Sequence, residues 1–153
     1  MNKKLTFIII CLFFYSCGFQ PMLKNYDISK LNIKKINYSG KNDLNYLLKN
    51  FLNLEEKNNN KGIIVNLSIA ENISAATKNT SGISTEEDLT IIVTINIKNE
   101  QNNDLLTDTI SETKRLSITN NMSTNEQTRN IEKNNLIRSL SQKIKFRIQT
   151  AVR

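Results

Sequence analysis

The stretch from Leu89 to Lys98 constrains the fold more than any other part of the chain. Leu89, Ile91, Val93, Ile95 and Ile97 fall at alternate positions, with Thr90, Thr94, Asn96 and Lys98 among the residues between them. Successive side chains of a strand point to opposite faces, so a run of this length specifies a strand with one face buried and one partly solvated. The neighbouring segments supply more of the sheet. Ile63, Val65, Leu67 and Ile69 alternate with mostly polar partners, and Glu100 to Asp104 forms a polar hairpin turn. The returning strand has Leu106, Ile110, Leu116 and Ile118 in one phase, with Asp108, Glu112 and Lys114 intruding. Those charges predict that part of this strand lies beyond the covered sheet. A shorter β-rich stretch, Leu31, Ile33, Ile36 and Tyr38, loses phase between Ile33 and Ile36, the mark of a bulge or an edge strand.

Two segments carry helical periodicity instead. Leu44, Leu47, Leu48, Phe51 and Leu52 recur at i, i+3, i+4, i+7 and i+8, which puts them on one stripe. Asn42 is the expected N-cap and Asp43 complements the helix dipole. The run Asn58-Asn59-Asn60-Lys61-Gly62 is expected to end the helix and turn the chain. From Thr124 to the C-terminus a long helix is predicted, its buried stripe made of Ile137, Leu140, Ile144, Ile148 and Ala151 or Val152. The economical way to bury these stripes is an α+β two-layer sandwich. Its expected form is a four-stranded, mostly antiparallel sheet with two helices on one face, in the order β-α-β-β-β-α. The opposite sheet face carries threonines, asparagines and lysines and should meet solvent or the polar wall of a partner.

The N-terminus has the parts of an export signal. Lys3 and Lys4 precede an apolar run from Leu5 to Phe14, too short for the roughly 20 residues of a spanning helix, and Ser16 then precedes Cys17. Cleavage before a lipidated cysteine needs a small residue ahead of it. Cys17 has Ser16 there, whereas Cys11 has the bulky Ile10. Residues 1–16 therefore read as a signal peptide, Cys17 as the lipidated first residue of the mature protein, 17–29 as a tether and 30–153 as one α+β domain. Gly18, rather than Asp, after the cysteine favours outer-membrane sorting, with the domain on the periplasmic side. Lipidation uses the mature chain's remaining thiol, so cystine staples are excluded and stability must come from a core.

The chain carries a formal charge of +7, and it stays basic after Lys3 and Lys4 leave with the signal. Nucleic acid is the usual partner of a basic domain, but an exported protein rarely meets it. The anions at hand there are lipid and lipopolysaccharide phosphates and the carboxylates of envelope proteins. The chain has no histidine, which removes the commonest general base and metal ligand. Glu55-Glu56 and Glu86-Glu87-Asp88 are expected at a helix end and in a loop, as solvated charge. Neither an enzyme nor a cofactor or metal site is expected. Binding is the function class that remains.

The segment Cys17-Gly18-Phe19-Gln20-Pro21-Met22-Leu23 resembles the mature start of the lipopolysaccharide-assembly lipoprotein family, in which Cys-Gly-Phe is followed by a variable residue, Pro and Leu. Met22 stands where Leu is usual. The element order is also that family's. Leu116-Ser117-Ile118-Thr119-Asn120 lacks the aromatic that often leaves the family's last strand. The resemblance implies a lipoprotein of the outer membrane that plugs and helps assemble the β-barrel of the lipopolysaccharide translocon and binds lipopolysaccharide in transit. Lys98, Lys114 and Arg115, around the ends of the last two strands, are the candidate phosphate contacts. A lipid-binding auxiliary lipoprotein of a phospholipid-trafficking transporter is the other function compatible with this anchor and domain.

Overall fold

The computed structural model describes residues 31–57 and 61–152. The signal, Cys17, the tether and part of the Asn58–Gly62 turn lie outside the described residues.

Four strands and two helices follow in the expected order: β1 (Ile33–Gly40), α1 (Asn42–Leu52), β2 (Ile63–Lys78), β3 (Ser84–Lys98), β4 (Asp104–Ser117) and α2 (Met122–Ala151). The strands lie side by side as β1-β2-β3-β4. β1 runs parallel to β2, with α1 as its crossover, and the other two pairings are antiparallel. β1 is an edge strand, and its register slips between Ile33 and Lys35. Lys34 is the additional residue there, and it moves Ile36 back onto the face of Ile33 after the lost phase.

Both helices cover the same face. Leu89, Ile91, Val93, Ile95 and Ile97 of β3 are fully buried against Leu44, Leu48 and Leu52 of α1 and Ile137, Leu140, Ile144 and Ile148 of α2. Val65, Leu67 and Ile69 of β2 complete the floor. Burying each of these side chains is worth about 1.5–3 kcal/mol. Leu136 and Ser141 join the predicted α2 stripe, Ala151 packs at its margin, and Val152 is exposed.

Several local expectations are corrected. The cap of α1 is Lys41, which makes no side-chain hydrogen bond; Asn42 is the first helical residue. Asn45 instead bonds the Gly40 carbonyl through its side chain, at 3.1 Å. The helix stops at Asn53, in the left-handed region with φ 43°, ahead of the polar run expected to end it. α2 begins two residues earlier than predicted, capped by Asn121, whose side chain accepts from the Thr124 N–H at 3.2 Å.

The larger correction concerns acidic residues. Glu86, Glu87 and Asp88 are in β3, in a long hairpin arm paired with Ser74–Thr77 of β2, rather than in a loop. Glu87 is buried, because Arg129 of α2 reaches it. Asp108 and Glu112 do not lie beyond the covered sheet. They face α2, which pairs them with Arg147 at 3.0 Å and Lys143 at 2.6 Å. A carboxylate under a helix rim is tolerated when a cation of that helix meets it, and the partners lie some 30 to 40 residues away in sequence.

Candidate interaction site

Odd positions of β3 enter the core, so its even positions form the open face, joined by the matching positions of the other strands. A row of side-chain amides crosses this face over the full width of the sheet. Asn37 Nδ2 donates to Asn66 Oδ1 at 2.7 Å, and Asn66 Nδ2 donates to Asn96 Oδ1 at 3.1 Å. Asn96 Nδ2 then donates to Asp104 Oδ1 at 2.8 Å and Thr107 Oγ1 at 2.9 Å. Two hydroxyl pairs extend the polar surface further along β3 and β4: Thr90 with Thr113 at 2.8 Å and Thr94 with Thr109 at 3.2 Å. Between the rows at its two ends, the open face of β3 and β4 is uncharged. Its polar groups are already partly paired with one another, which lowers the cost of covering them.

The three predicted phosphate contacts are not brought together. Lys98 lies at one end of the β3–β4 ladder, opposite Asp104, whose carboxylate is 4.0 Å from its ammonium. Arg115 lies at the other end, roughly 33 Å away at the usual rise per strand residue. Its guanidinium forks onto Asp88, Nε to Oδ1 at 2.9 Å and Nη2 to Oδ2 at 3.0 Å. That hydrogen-bonded cation holds the Asp88 carboxyl below the usual carboxylate range. Lys114 belongs to the opposite face, on the helix side, where it stands across from Leu89. Its exposed charge has no ion-pair partner among the described residues.

The helix side carries charges that the sequence reading did not assign. Arg129 holds Glu87, Lys133 holds Glu71 at 2.8 Å, Lys143 holds Glu112 and Arg147 holds Asp108. The signal was present in the basic decoration of the last helix and the acidic intrusions of the strands, but only the register matches them. Between β4 and the C-terminal half of α2 runs a groove of about 330 Å³ with an apolar floor including Ile110 and Phe146, rimmed by Lys143 and Arg147.

Burial raises the Tyr38 phenol above its ordinary value, with Glu56 adding to the effect. Among the described residues no cluster of acidic, histidine or cysteine side chains could hold a metal ion. No helix among them is long and apolar enough to cross a membrane.

No protein-family model matches the chain, and no curated protein matches it in sequence. Solved structures do match its fold. A minor lipoprotein from Acinetobacter baumannii is 19% identical with a TM-score of 0.56, over 76% of this chain and 93% of that one. Lipoprotein B from Nitrosomonas europaea is 14% identical with a TM-score of 0.58, over 80% and 86%. Rare lipoprotein B from Shewanella oneidensis is 13% identical with a TM-score of 0.50, over 77% and 92%.

Proposed function

We propose that this chain is a non-enzymatic, lipid-anchored subunit of the outer-membrane lipopolysaccharide translocon. In this reading it faces the periplasm, plugs and helps assemble the translocon β-barrel, and assists lipopolysaccharide on its way to the surface. One combination of observations carries the reading. A Cys17-Gly18-Phe19-Gln20-Pro21 start precedes a domain whose fold is shared with bacterial lipoproteins.

Each part of the chain then has a task. Acyl chains on Cys17 hold the protein in the membrane. Each buried CH₂ contributes about 0.8 kcal/mol, so one chain anchors marginally and several anchor durably. The residues after Cys17 tether the domain. The open sheet face, with its amide row and hydroxyl pairs, suits the polar inner wall of a barrel, since uncharged groups that are already paired lose little when water is displaced. Of the three basic candidates for lipopolysaccharide phosphates, Lys98 and Arg115 already face carboxylates. That leaves Lys114 as the stronger contact.

Depletion of the protein tests the reading. Lipopolysaccharide should accumulate on the inner side of the envelope and the translocon barrel should fail to mature. A phospholipid imbalance with normal surface lipopolysaccharide would reject this function in favour of a phospholipid-transport auxiliary.

A further inference from the structure

The two edges of the sheet are treated differently. At β1 the segment after α1 returns along the strand: the Lys57 N–H bonds the Ile33 carbonyl at 2.8 Å and the Glu56 carboxylate accepts from the Ile36 N–H at 2.7 Å. At β4 no described strand lies on the outer side, and the edge runs from Asp104 to Ser117. An open edge of this length is a template for another strand. Inward-pointing charges commonly blunt such edges, but here Asp108 and Glu112 are already matched by Arg147 and Lys143. The Ile110–Phe146 groove runs beside the same edge, where the side chains of an added strand would enter.

We infer that the partner for this edge is β4 of a second copy, paired antiparallel about a two-fold axis at Ser111. Most of β4 is complementary to itself in that register; the exception is Ile110, which falls opposite Glu112, whose carboxylate Lys143 of its own helix already meets. Asp108 falls opposite Lys114 on the helix side and Lys114 opposite Asp108, so two ion pairs form across the axis. The pairing gives Lys114 a carboxylate partner. Leu106 falls opposite Leu116, and Thr109 opposite Thr113. Ile110 of one copy lies diagonal to Ile110 of the other, which closes the two apolar grooves on each other. Moving the axis by one residue to position 110 would set Asp108 against Glu112, a repulsive pair. The product is a continuous eight-stranded sheet with both helix layers on one side.

The arrangement is compatible with an anchor at Cys17. The Asp104 ends of the two copies lie at opposite ends of the joined sheet, and the stretch from Cys17 to Leu31 reaches up to roughly 45 Å when extended. Because the pairing occupies Lys114, it describes copies that hold neither lipopolysaccharide nor a barrel. The inference goes beyond the translocon reading and does not depend on it.

Ser111→Cys in the full-length lipoprotein, overproduced so that most copies are in excess of any barrel and oxidised in its own membranes, tests the register. A disulfide-linked dimer is expected, absent from the wild type and from Ser68→Cys on the open face of β2. Adding Lys114→Asp or Asp108→Lys should each lower the yield roughly ten-fold, because both cross-axis pairs turn repulsive. Co-expressing the two charge variants should restore it as a mixed dimer, since each then supplies what the other lacks. Circular dichroism melting checks that each variant folds, and Lys114→Asp alone carries the comparison if Asp108→Lys does not. No linked dimer from the Ser111→Cys variant, a yield indifferent to Lys114→Asp, or a cross-link to a different protein would each overturn the inference. Normal surface lipopolysaccharide in depleted cells, with the dimer formed as expected, would count against the translocon reading instead.

Discussion

Arg129 of α2 forks onto the buried carboxylate of Glu87 in β3, with Nη2 at 2.6 Å from Oε2 and Nε on Oε1. The contact fastens the start of the long helix to the far arm of the sheet. Hydrogen bonding to Glu87, opposed by partial desolvation, raises the Arg129 pKa above its ordinary value. Removing one partner of such a pair strands the other in a site that water scarcely reaches. Arg129→Ala is therefore expected to lower unfolding free energy by about 2–3 kcal/mol, at or below the lower end of the range for breaking a fully buried pair because the arginine is partly exposed. Urea denaturation measures it, and Glu87→Gln should cost less because the amide keeps part of the hydrogen bonding.

The amide row predicts a smaller, directional effect. Asn66 accepts from Asn37 and donates to Asn96, so Asn66→Ala breaks both links at once. Water replaces part of the loss on this open face, and a cost of about 1 kcal/mol is expected. Asn72→Ala, outside the row, is the control in the same denaturation series and should change stability by less.

Gly40 ends β1 at φ 116°, and a Cβ added there would sit 2.1 Å from the Ile69 carbonyl oxygen. Both the backbone angle and the close approach forbid a side chain. Gly40→Ala should cost about 2 kcal/mol or more, read as a lower melting temperature. Gly82 also has positive φ, but its Cβ would meet open space, so Gly82→Ala should be milder.

The Asp88–Arg115 pair has a pH signature. The folded-state pKa of Asp88 lies below its ordinary value, so its contribution to stability is present above about pH 4, the unfolded carboxylate's pKa, and is lost as pH falls through the folded value. Arg115→Gln should move the Asp88 titration upward toward that ordinary value in an NMR carboxyl titration. An unchanged midpoint would mean that the arginine does not set it.

Much of the fold is legible in the sequence because its core is periodic. The alternation from Leu89 to Ile97, the stripe from Leu44 to Leu52 and the stripe from Ile137 to Ile148 each name a buried face by themselves. The phase break at Ile33–Ile36 even marks the bulged edge strand. What escapes is what depends on register between distant segments. The arm of Ser74–Lys78 with Ser84–Asp88 is built of small and polar residues without alternation, so it reads as loop until its pairing is seen. Asp108 and Glu112 look misplaced in a strand because Arg147 and Lys143 are far away in sequence. The amide row is hidden because asparagine occurs throughout the chain, and Asn37, Asn66 and Asn96 differ from the others only by falling in line. Lys98, Lys114 and Arg115 are close in the sequence pattern, yet strand direction and side-chain alternation send them to two ends and two faces.

Affinity purification of the full-length lipoprotein from detergent-solubilised outer membranes, with mass spectrometry of what accompanies it, tests the proposed function most directly. A large β-barrel protein is expected as the principal companion, with a mature N-terminus carrying acyl chains on Cys17. Recovery with no barrel, or with an inner-membrane transporter in its place, would contradict it.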